Sequence, residues 1–184
     1  MARSTLVRVT HWVNSLSFFA LAISGIAILI AHPRLYWGET GSVGTPSLID
    51  LPIPFRLGHS GWGRYLHFLA AWICVLNGLI YLISGLRARH FSRGFEDYKP
   101  LQRGAYSAVV LVVFPLTILT GFAMSPAITS VVPELVEGFG GQQSARTLHF
   151  FAACILVIFF FGHVAMVWRA GFVHSVRAMI AGEA

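Results

Sequence analysis

Four of the eight histidines lie in long apolar stretches of the chain: His11, His67, His149 and His163. Ionisable side chains are uncommon at membrane depth, where they face the interior of a helix bundle and usually mark function. The other four lie in predicted loops or tails, where solvent exposure is the default: His32, His59, His90 and His174. The four histidines in the apolar stretches are therefore the candidates for chemistry. A neutral imidazole is above all a metal ligand.

The spacing of these histidines sorts them into two layers. His149 and His163 are fourteen residues apart, which on a helix puts them within about 40° of the same face and about 21 Å apart. In an apolar core about 30 Å thick, such a pair places one imidazole near each surface. Because successive helices alternate in direction, we expect His67 at the level of His149, and His11 at the level of His163.

Two neutral imidazoles that face each other across a helix bundle are the axial ligands of a b-type haem. A zinc site would need further ligands, and Cys74 and Cys154 do not lie beside either layer, so they are predicted to be packing residues. A proton relay would need acidic partners, which the stretches lack. No Cys-x-x-Cys-His motif for covalent attachment occurs. The pattern predicts two non-covalent haem b groups.

Arginines and glycines accompany the histidines. Arg8, Arg64 and Arg146 each precede a histidine by three residues, so each shares a helix face with it. They are candidates for pairing with haem propionates, or they simply mark the membrane boundary. Gly25 and Gly78 lie near the histidine faces of their helices, at the opposite layer, where they would give a porphyrin room; close helix packing explains such glycines equally well.

The elements that position these side chains are predicted to be membrane helices. The chain has 184 residues and only 11% charged residues, against about 25% in soluble domains. Four stretches without charge each exceed the about 20 residues that span a bilayer, and a spanning backbone must satisfy its own hydrogen bonds. We predict an all-α integral membrane bundle, a single domain over 1–184, with four helices at about these positions: 11–31, 65–86, 105–125 and 147–169.

The distribution of charge predicts the orientation of the bundle. The N-terminus, the 87–103 loop and the C-terminal end carry the net charge of +6, and the two opposite loops sum to zero. The positive-inside rule then places both termini in the cytoplasm, in a multi-pass protein of a bacterial inner membrane. The basic surplus indicates topology and not nucleic-acid binding. The first apolar run is too long for a secretory signal peptide, whose core has about 7–15 residues.

The two loops on the predicted outer side differ in character. Residues 32–63 are rich in glycine, proline and aromatic residues, which argues against a long helix and suggests a cap over the bundle or a docking surface. Apolar spacing over 128–139 predicts one short amphipathic helix in the membrane interface, with Pro133 inside it.

Longer stretches of the sequence resemble a known family. They are "RVTHWVNSLSFFALAISG", "GRYLHFLAAWICVLNGLIY", "YKPLQRGAY" and "ARTLHFFAACILVIFFFGH". They resemble the b-type di-haem cytochrome subunits of bacterial respiratory complexes, such as the membrane subunits of nickel-iron hydrogenases and formate dehydrogenases. The resemblance implies that His11 and His163 bind the inner haem iron and that His67 and His149 bind the outer one.

The same resemblance implies a quinone site beside the inner haem. The family pattern Tyr-Asn-x-x-Gln is matched at Tyr98 and Gln102, with Lys99 in place of the asparagine. Gln102 and Asn14 are the candidate hydrogen-bond donors to the quinone, or they are ordinary polar residues near helix ends. The outer loop resembles family members that pair with a periplasmic molybdopterin oxidoreductase.

The predicted function is electron transfer across the membrane between the quinone pool and a periplasmic oxidoreductase subunit. With both axial positions held by histidine, such haems conduct electrons and do not bind substrate. The chain is therefore interpreted as the electron-transfer subunit of an oxidoreductase complex, embedded in the lipid bilayer, with quinone chemistry at the inner haem. Two alternatives are a stand-alone di-haem cytochrome that oxidises a small species such as superoxide, and a metal-ion carrier with intramembrane histidine sites.

Overall fold

The structure, a computed structural model, describes residues 4–42, 44–53, 61–87 and 100–182. It is almost entirely helical, and four helices are long and apolar enough to cross a membrane: Thr5–Ala31, Gly61–Ser84, Gly104–Ala123 and Gln142–Arg169. The predicted all-α membrane architecture is confirmed.

Among the described residues, the elements along the chain are helices and one two-stranded sheet. They are α1 (Thr5–Ala31), β1 (Arg34–Leu35), β2 (Ile49–Asp50), α2 (Gly61–Arg87), α3 (Pro100–Ala108), a π-helical segment (Val109–Val113), α4 (Phe114–Ala123), α5 (Pro126–Thr129), α6 (Glu134–Gly138), α7 (Gln142–Arg169) and α8 (Phe172–Ala181).

The membrane helices begin about one turn before their predicted starts. The predictions followed the absence of charge, whereas Arg8, Arg64 and Arg146 lie within the first five residues of α1, α2 and α7. Arginine is a good helix former, and its long side chain reaches water from a helix end. Each arginine is thus helical together with the histidine three residues later, as the shared-face argument requires.

The third span changes its winding without breaking. It runs through α3, the π-helical segment and α4. Pro115 lies in the first turn of α4, and proline neither donates a backbone hydrogen bond nor tolerates a tight preceding turn. We attribute the wide π turn to this proline, because such a turn accommodates it without ending the helix.

The prediction of a single amphipathic helix over 128–139 is wrong. Two shorter helices, α5 and α6, replace it, and Pro133 is the N-cap residue of α6. A proline is tolerated at the start of a helix but disrupts its interior. The apolar spacing therefore belongs to two elements that a proline separates.

In the helices, the side chains that are buried and those that are exposed are the reverse of the pattern in a soluble protein. The buried residues of α1 are small or hydroxyl-bearing and form one stripe: Thr10, Ser17, Ser24 and Ala27. Large apolar side chains such as Leu16, Leu111 and Ile158 are exposed instead. Small residues let membrane helices approach closely, while lipid accepts the large apolar ones.

The chain forms two compact units. The first comprises Met1–His32, Ile53–Asp97 and Val164–Ala184, and the second comprises Pro33–Pro52 and Tyr98–His163. The single-domain organisation over 1–184 stays a prediction.

In the first unit, α1 packs along α2 and is fastened to α8. Asn77 of α2 donates to the carbonyl of Thr10 and to Oδ1 of Asn14, both at 2.8 Å. Arg8 donates to the carbonyl of Ile180 at 2.8 Å, and Trp12 donates to that of Met179 at 3.1 Å. The last turn of α8 is therefore bonded to α1 on both sides of His11.

In the second unit, residues 33–52 form a strap over the beginning of α7. Its two strands pair antiparallel, with Arg34 opposite Asp50. These two side chains form an ion pair at 3.0 Å, and the hydrogen bond to Asp50 raises the pKa of Arg34. The carbonyl of Gly38 accepts from the backbone N–H groups of Gln143 and Ser144, which satisfies donors that the first turn of a helix leaves unpaired.

Candidate functional site

His67 is held by a hydroxyl of the neighbouring helix. Its Nδ1 lies 3.0 Å from Oγ of Ser24, which is fully buried. The single proton of that hydroxyl is donated to the carbonyl of Ala20, at 2.6 Å. With that proton on the carbonyl, the Ser24 oxygen is free to accept from Nδ1–H, the tautomer whose lone pair lies on Nε2.

His149 is held in the same way in the second unit. Its Nδ1 lies 3.1 Å from Oγ1 of Thr120 and 3.0 Å from the carbonyl of Thr117. A carbonyl only accepts, and the Thr120 hydroxyl donates to the carbonyl of Leu116 at 2.7 Å. Nδ1 must again carry the proton.

A two-residue unit, hydroxyl then glycine, recurs at both histidines. A Cβ at Gly25 would lie 3.6 Å from Cε1 of His67, and one at Gly121 would lie 3.4 Å from Cε1 of His149. At each glycine the imidazole lies at van der Waals distance from where a Cβ would stand, and the residue before it, Ser24 or Thr120, contacts Nδ1. Sequence reasoning missed Ser24, Thr120 and Gly121; the signal was a Ser-Gly or Thr-Gly pair inside a charge-free span.

His163 has a different partner. Its Nδ1 lies 2.9 Å from the hydroxyl of Tyr106 in α3. Phe159, one turn earlier in α7, stacks on the imidazole with an angle of 21° between the rings and 6.4 Å between their centroids. Sequence reasoning also missed Tyr106, which follows Gln102 by four residues and is fourteen residues before Thr120.

His11 is half-buried in α1, between the two residues that fasten α8. The adjacent ring of Trp12 meets it edge to face, with 5.4 Å between centroids. Arg8 and Trp12 are both bonded to backbone carbonyls of α8, so the helical turn that carries His11 is fixed from outside α1.

In both units, the two histidines lie at levels about 20 Å apart along the helix axes. In the first unit, His67 contacts Ser24, which is thirteen residues beyond His11 in α1, or about 20 Å along the helix axis. In the second unit, His149 and His163 contact residues near opposite ends of the third span and lie about 21 Å apart along α7.

Two of the three candidate propionate ligands have backbone partners. Arg8 donates to Ile180 as described, and Arg146 donates to the carbonyl of Arg34 in the strap at 3.1 Å. Arg64 is exposed at the start of α2. The structure thus shows how Arg8 and Arg146 secure neighbouring segments, and their contact with propionates stays a prediction.

The other candidate residues are distributed between the two units. Asn14 accepts from Asn77 through Oδ1, and Gly78 is half-buried next to Asn77 in α2. Gln102 is half-buried in α3. Four residues of the sequence argument lie outside the described residues: His59, His90, Tyr98 and Lys99.

The donor chemistry fits imidazoles that bind a metal through Nε2, as the iron of a haem requires. At three of the four histidines Nδ1 is bonded to an oxygen atom, and such partners orient a ligand imidazole so that Nε2 meets the metal. Within the part of the chain that the structure describes, no three His, Cys, Asp or Glu residues group together. A zinc-type site needs at least three such ligands, whereas a b-type haem takes two imidazoles.

Comparison with known proteins gives two findings. The family described as prokaryotic cytochrome b561 matches residues 2–182. A protein of Azospira oryzae named "Putative protein-methionine-sulfoxide reductase subunit YedZ1" is 28% identical over 189 aligned residues, covering 88% of this chain and 87% of the relative. The family match spans all four membrane helices, and the relative matches over nearly its whole length.

Proposed function

The chain belongs to the prokaryotic cytochrome b561 family, and we propose that it binds two haems and passes electrons between quinone and a periplasmic oxidoreductase. Membership makes it a multi-pass membrane protein of a family that binds haem b and transfers electrons. The number of haems, their ligands, the quinone and the partner are the proposal.

The observation that best supports the proposal is the separation of the histidines along the helix axes. Each unit holds two of them about 20 Å apart along its helices, and equal spacing is what two stacked bis-histidine sites require. We assign His11 and His163 to the inner haem, and His67 and His149 to the outer one. A haem bound in this way exchanges one electron at a time and has no open position for substrate.

The residues around the histidines determine how well these sites are organised. Ser24, Thr117 and Thr120 keep the proton on Nδ1 and hold the ring planes, because each oxygen accepts from the imidazole. Ordered partners of this kind preserve ligand geometry when the charge of the metal changes. Gly25 and Gly121 leave the imidazole edges in contact with helix backbone.

The proposed quinone site lies at the beginning of the third span. Gln102 is one helical turn before Tyr106, whose hydroxyl bonds to His163, so both residues lie on similar faces of α3. Its half-buried side chain can donate a hydrogen bond to a quinone oxygen. Asn14 is the weaker candidate, since its Oδ1 already accepts from Asn77.

The proposed partner surface is the strap. Thr147 donates to the carbonyl of Tyr36 at 2.7 Å, two residues before His149 in α7. Trp37, the next residue of the strap, is 59% exposed. An exposed aromatic residue next to Tyr36, whose carbonyl accepts from Thr147 near His149, suits contact with a redox partner. The name of the relative as a reductase subunit supports the subunit role.

Alanine variants of the four histidines test the proposal. We expect two b-type haems per chain, with His67→Ala and His149→Ala losing the same redox component, and His11→Ala and His163→Ala losing the other. The separation of about 21 Å prevents one imidazole from replacing another. His174→Ala, an exposed histidine in α8, is the matched control and should keep both haems. A single haem per chain, or loss of one component by His11→Ala and His67→Ala together, contradicts the assignment.

A further inference from the structure

We propose that Tyr106 is a positioning residue that orients His163 and lowers the reduction potential of the group that His163 binds. This inference rests on the proposed role of His163 as a haem ligand. Neither the resemblance nor the sequence pattern pointed to Tyr106, and the structure brings its hydroxyl to 2.9 Å from Nδ1 of His163.

Three aromatic rings hold one another in a fixed arrangement. The Tyr106 ring is perpendicular to that of His163 and to that of Phe159, at 90° and 89°. Phe159 in turn lies nearly parallel to the imidazole, at 21°. The phenol therefore approaches the imidazole edge at Nδ1, while Phe159 lies nearly parallel to the imidazole with 6.4 Å between the ring centroids, so the two aromatic residues flank His163.

The direction of the hydrogen bond follows from the ligand role. Iron binds the lone pair of Nε2, so the proton of the neutral imidazole lies on Nδ1. The Tyr106 oxygen must then accept this proton. An acceptor at Nδ1 increases the electron density that the imidazole donates to a metal, and greater donation stabilises the oxidised metal and lowers its reduction potential.

The acceptor at His163 differs in kind from those at His67 and His149. Ser24 and Thr120 donate their own protons to backbone carbonyls of the same helix, which strengthens their oxygens as acceptors. The Tyr106 oxygen stands at the tip of a ring that Phe159 supports, so its removal leaves the ring contacts in place and isolates the effect of the hydrogen bond.

Tyr106→Phe tests the inference by redox titration and electron paramagnetic resonance of the purified haem-loaded protein. We expect both haems to remain, one component to move to a higher potential, and the low-spin ferric signal of that component to shift. The component that moves should be the one that His163→Ala removes. Tyr65→Phe deletes the same atom from a tyrosine that is 80% exposed, and it should change neither component.

A second variant distinguishes loss of the hydrogen bond from a folding defect. Site-specific 3-fluorotyrosine at position 106 keeps the ring and the hydroxyl but weakens the oxygen as an acceptor, so we expect a smaller shift in the same direction. Unchanged potentials in Tyr106→Phe, or haem loss in Tyr106→Phe together with no shift in the fluorotyrosine protein, overturn the role of Tyr106 alone. Retention of both haems by His163→Ala instead overturns the proposed ligand set.

Discussion

A serine or threonine in a membrane helix can serve its own backbone and a neighbouring imidazole at once. Ser24 and Thr120 each donate to the carbonyl four residues earlier, and each oxygen accepts from a histidine. Such bonding to the i−4 carbonyl is a common arrangement for these residues in helices. A carboxylate would accept as well, but a charged side chain inside a membrane span is costly, about 2.5–3.5 kcal/mol where it lies at the centre.

Thr120→Val should disturb one haem only. The substitution removes the hydroxyl that accepts from His149 and leaves the Thr117 carbonyl as an acceptor, so we expect weaker binding and a higher potential of the haem that His149→Ala removes. Loss of such a partner typically lowers metal affinity by about 10–100-fold. Thr117→Val is the control, because the Thr117 hydroxyl donates to the carbonyl of Val113 and its own carbonyl is retained. Equal effects of the two variants, measured by haem titration, would contradict the prediction.

Gln102→Ala should slow quinol-dependent haem reduction without loss of haem. A single hydrogen bond is worth about 0.5–1.5 kcal/mol, so we expect a decrease in rate of up to about tenfold, measured by stopped-flow absorbance. Gln142→Ala, at the exposed beginning of α7, should leave the rate unchanged. If Gln102→Ala reduces at the wild-type rate, Gln102 has no part in the quinone site.

At the scale of elements, the strap depends on a close approach between two backbones. Gly141 has a φ of +110°, and a Cβ there would collide with the backbone of Gly38. The carbonyl of Gly38 accepts hydrogen bonds from two N–H groups in the first turn of α7. The N–H of Gly38 donates to Oγ of Ser144 at 2.8 Å. The beginning of α7, including Thr147, is therefore joined to the strap through contacts that only glycine permits at position 141.

Gly141→Ala should loosen the strap and destabilise the protein. Both the collision and the positive φ oppose a side chain, and a strained backbone position costs about 1–3 kcal/mol. We expect a lower melting temperature by circular dichroism in detergent and faster proteolysis within 33–52. Gly138→Ala is the matched control, because no heavy atom lies within 4 Å of a Cβ there and its φ is not in the positive region. Equal melting temperatures of the two variants would show that the close approach is dispensable.

At the scale of the whole molecule, the distribution of polarity is that of a membrane protein. Hydroxyl groups and small side chains are buried, large apolar side chains are exposed, and the basic surplus lies at the chain ends and in the 87–103 loop. The orientation with both termini in the cytoplasm follows from this surplus and stays a prediction.

Cysteine labelling checks this orientation. In a background with Cys74 and Cys154 replaced by alanine, Leu48→Cys in the exposed part of the strap should react with a membrane-impermeant thiol reagent in cells with a permeable outer membrane. His174→Cys, exposed in α8, should react only after lysis. The opposite pattern would place the strap in the cytoplasm and exchange the inner and outer assignments of the two haems.

The sequence by itself determined the number of membrane helices, the positions of the four histidines along them, and the family. These are properties of single segments: an uncharged run long enough to span a bilayer must be helical, and fourteen residues between His149 and His163 set their separation on one rigid helix. The two layers of histidines predicted the haems, and the resemblance added the pairing of the histidines and the quinone site.

The tertiary structure alone decided which side chains meet the histidines. Periodicity identifies the face of a helix but not its neighbour or the register between them, which depend on how small residues pack across several helices. Ser24, Thr120 and Tyr106 could therefore not be assigned as imidazole partners from the sequence, although each lies in a predicted span. The carbonyls that receive Arg8 and Arg146 were hidden for the same reason: they belong to α8 and the strap, segments distant in sequence that only folding brings to these arginines.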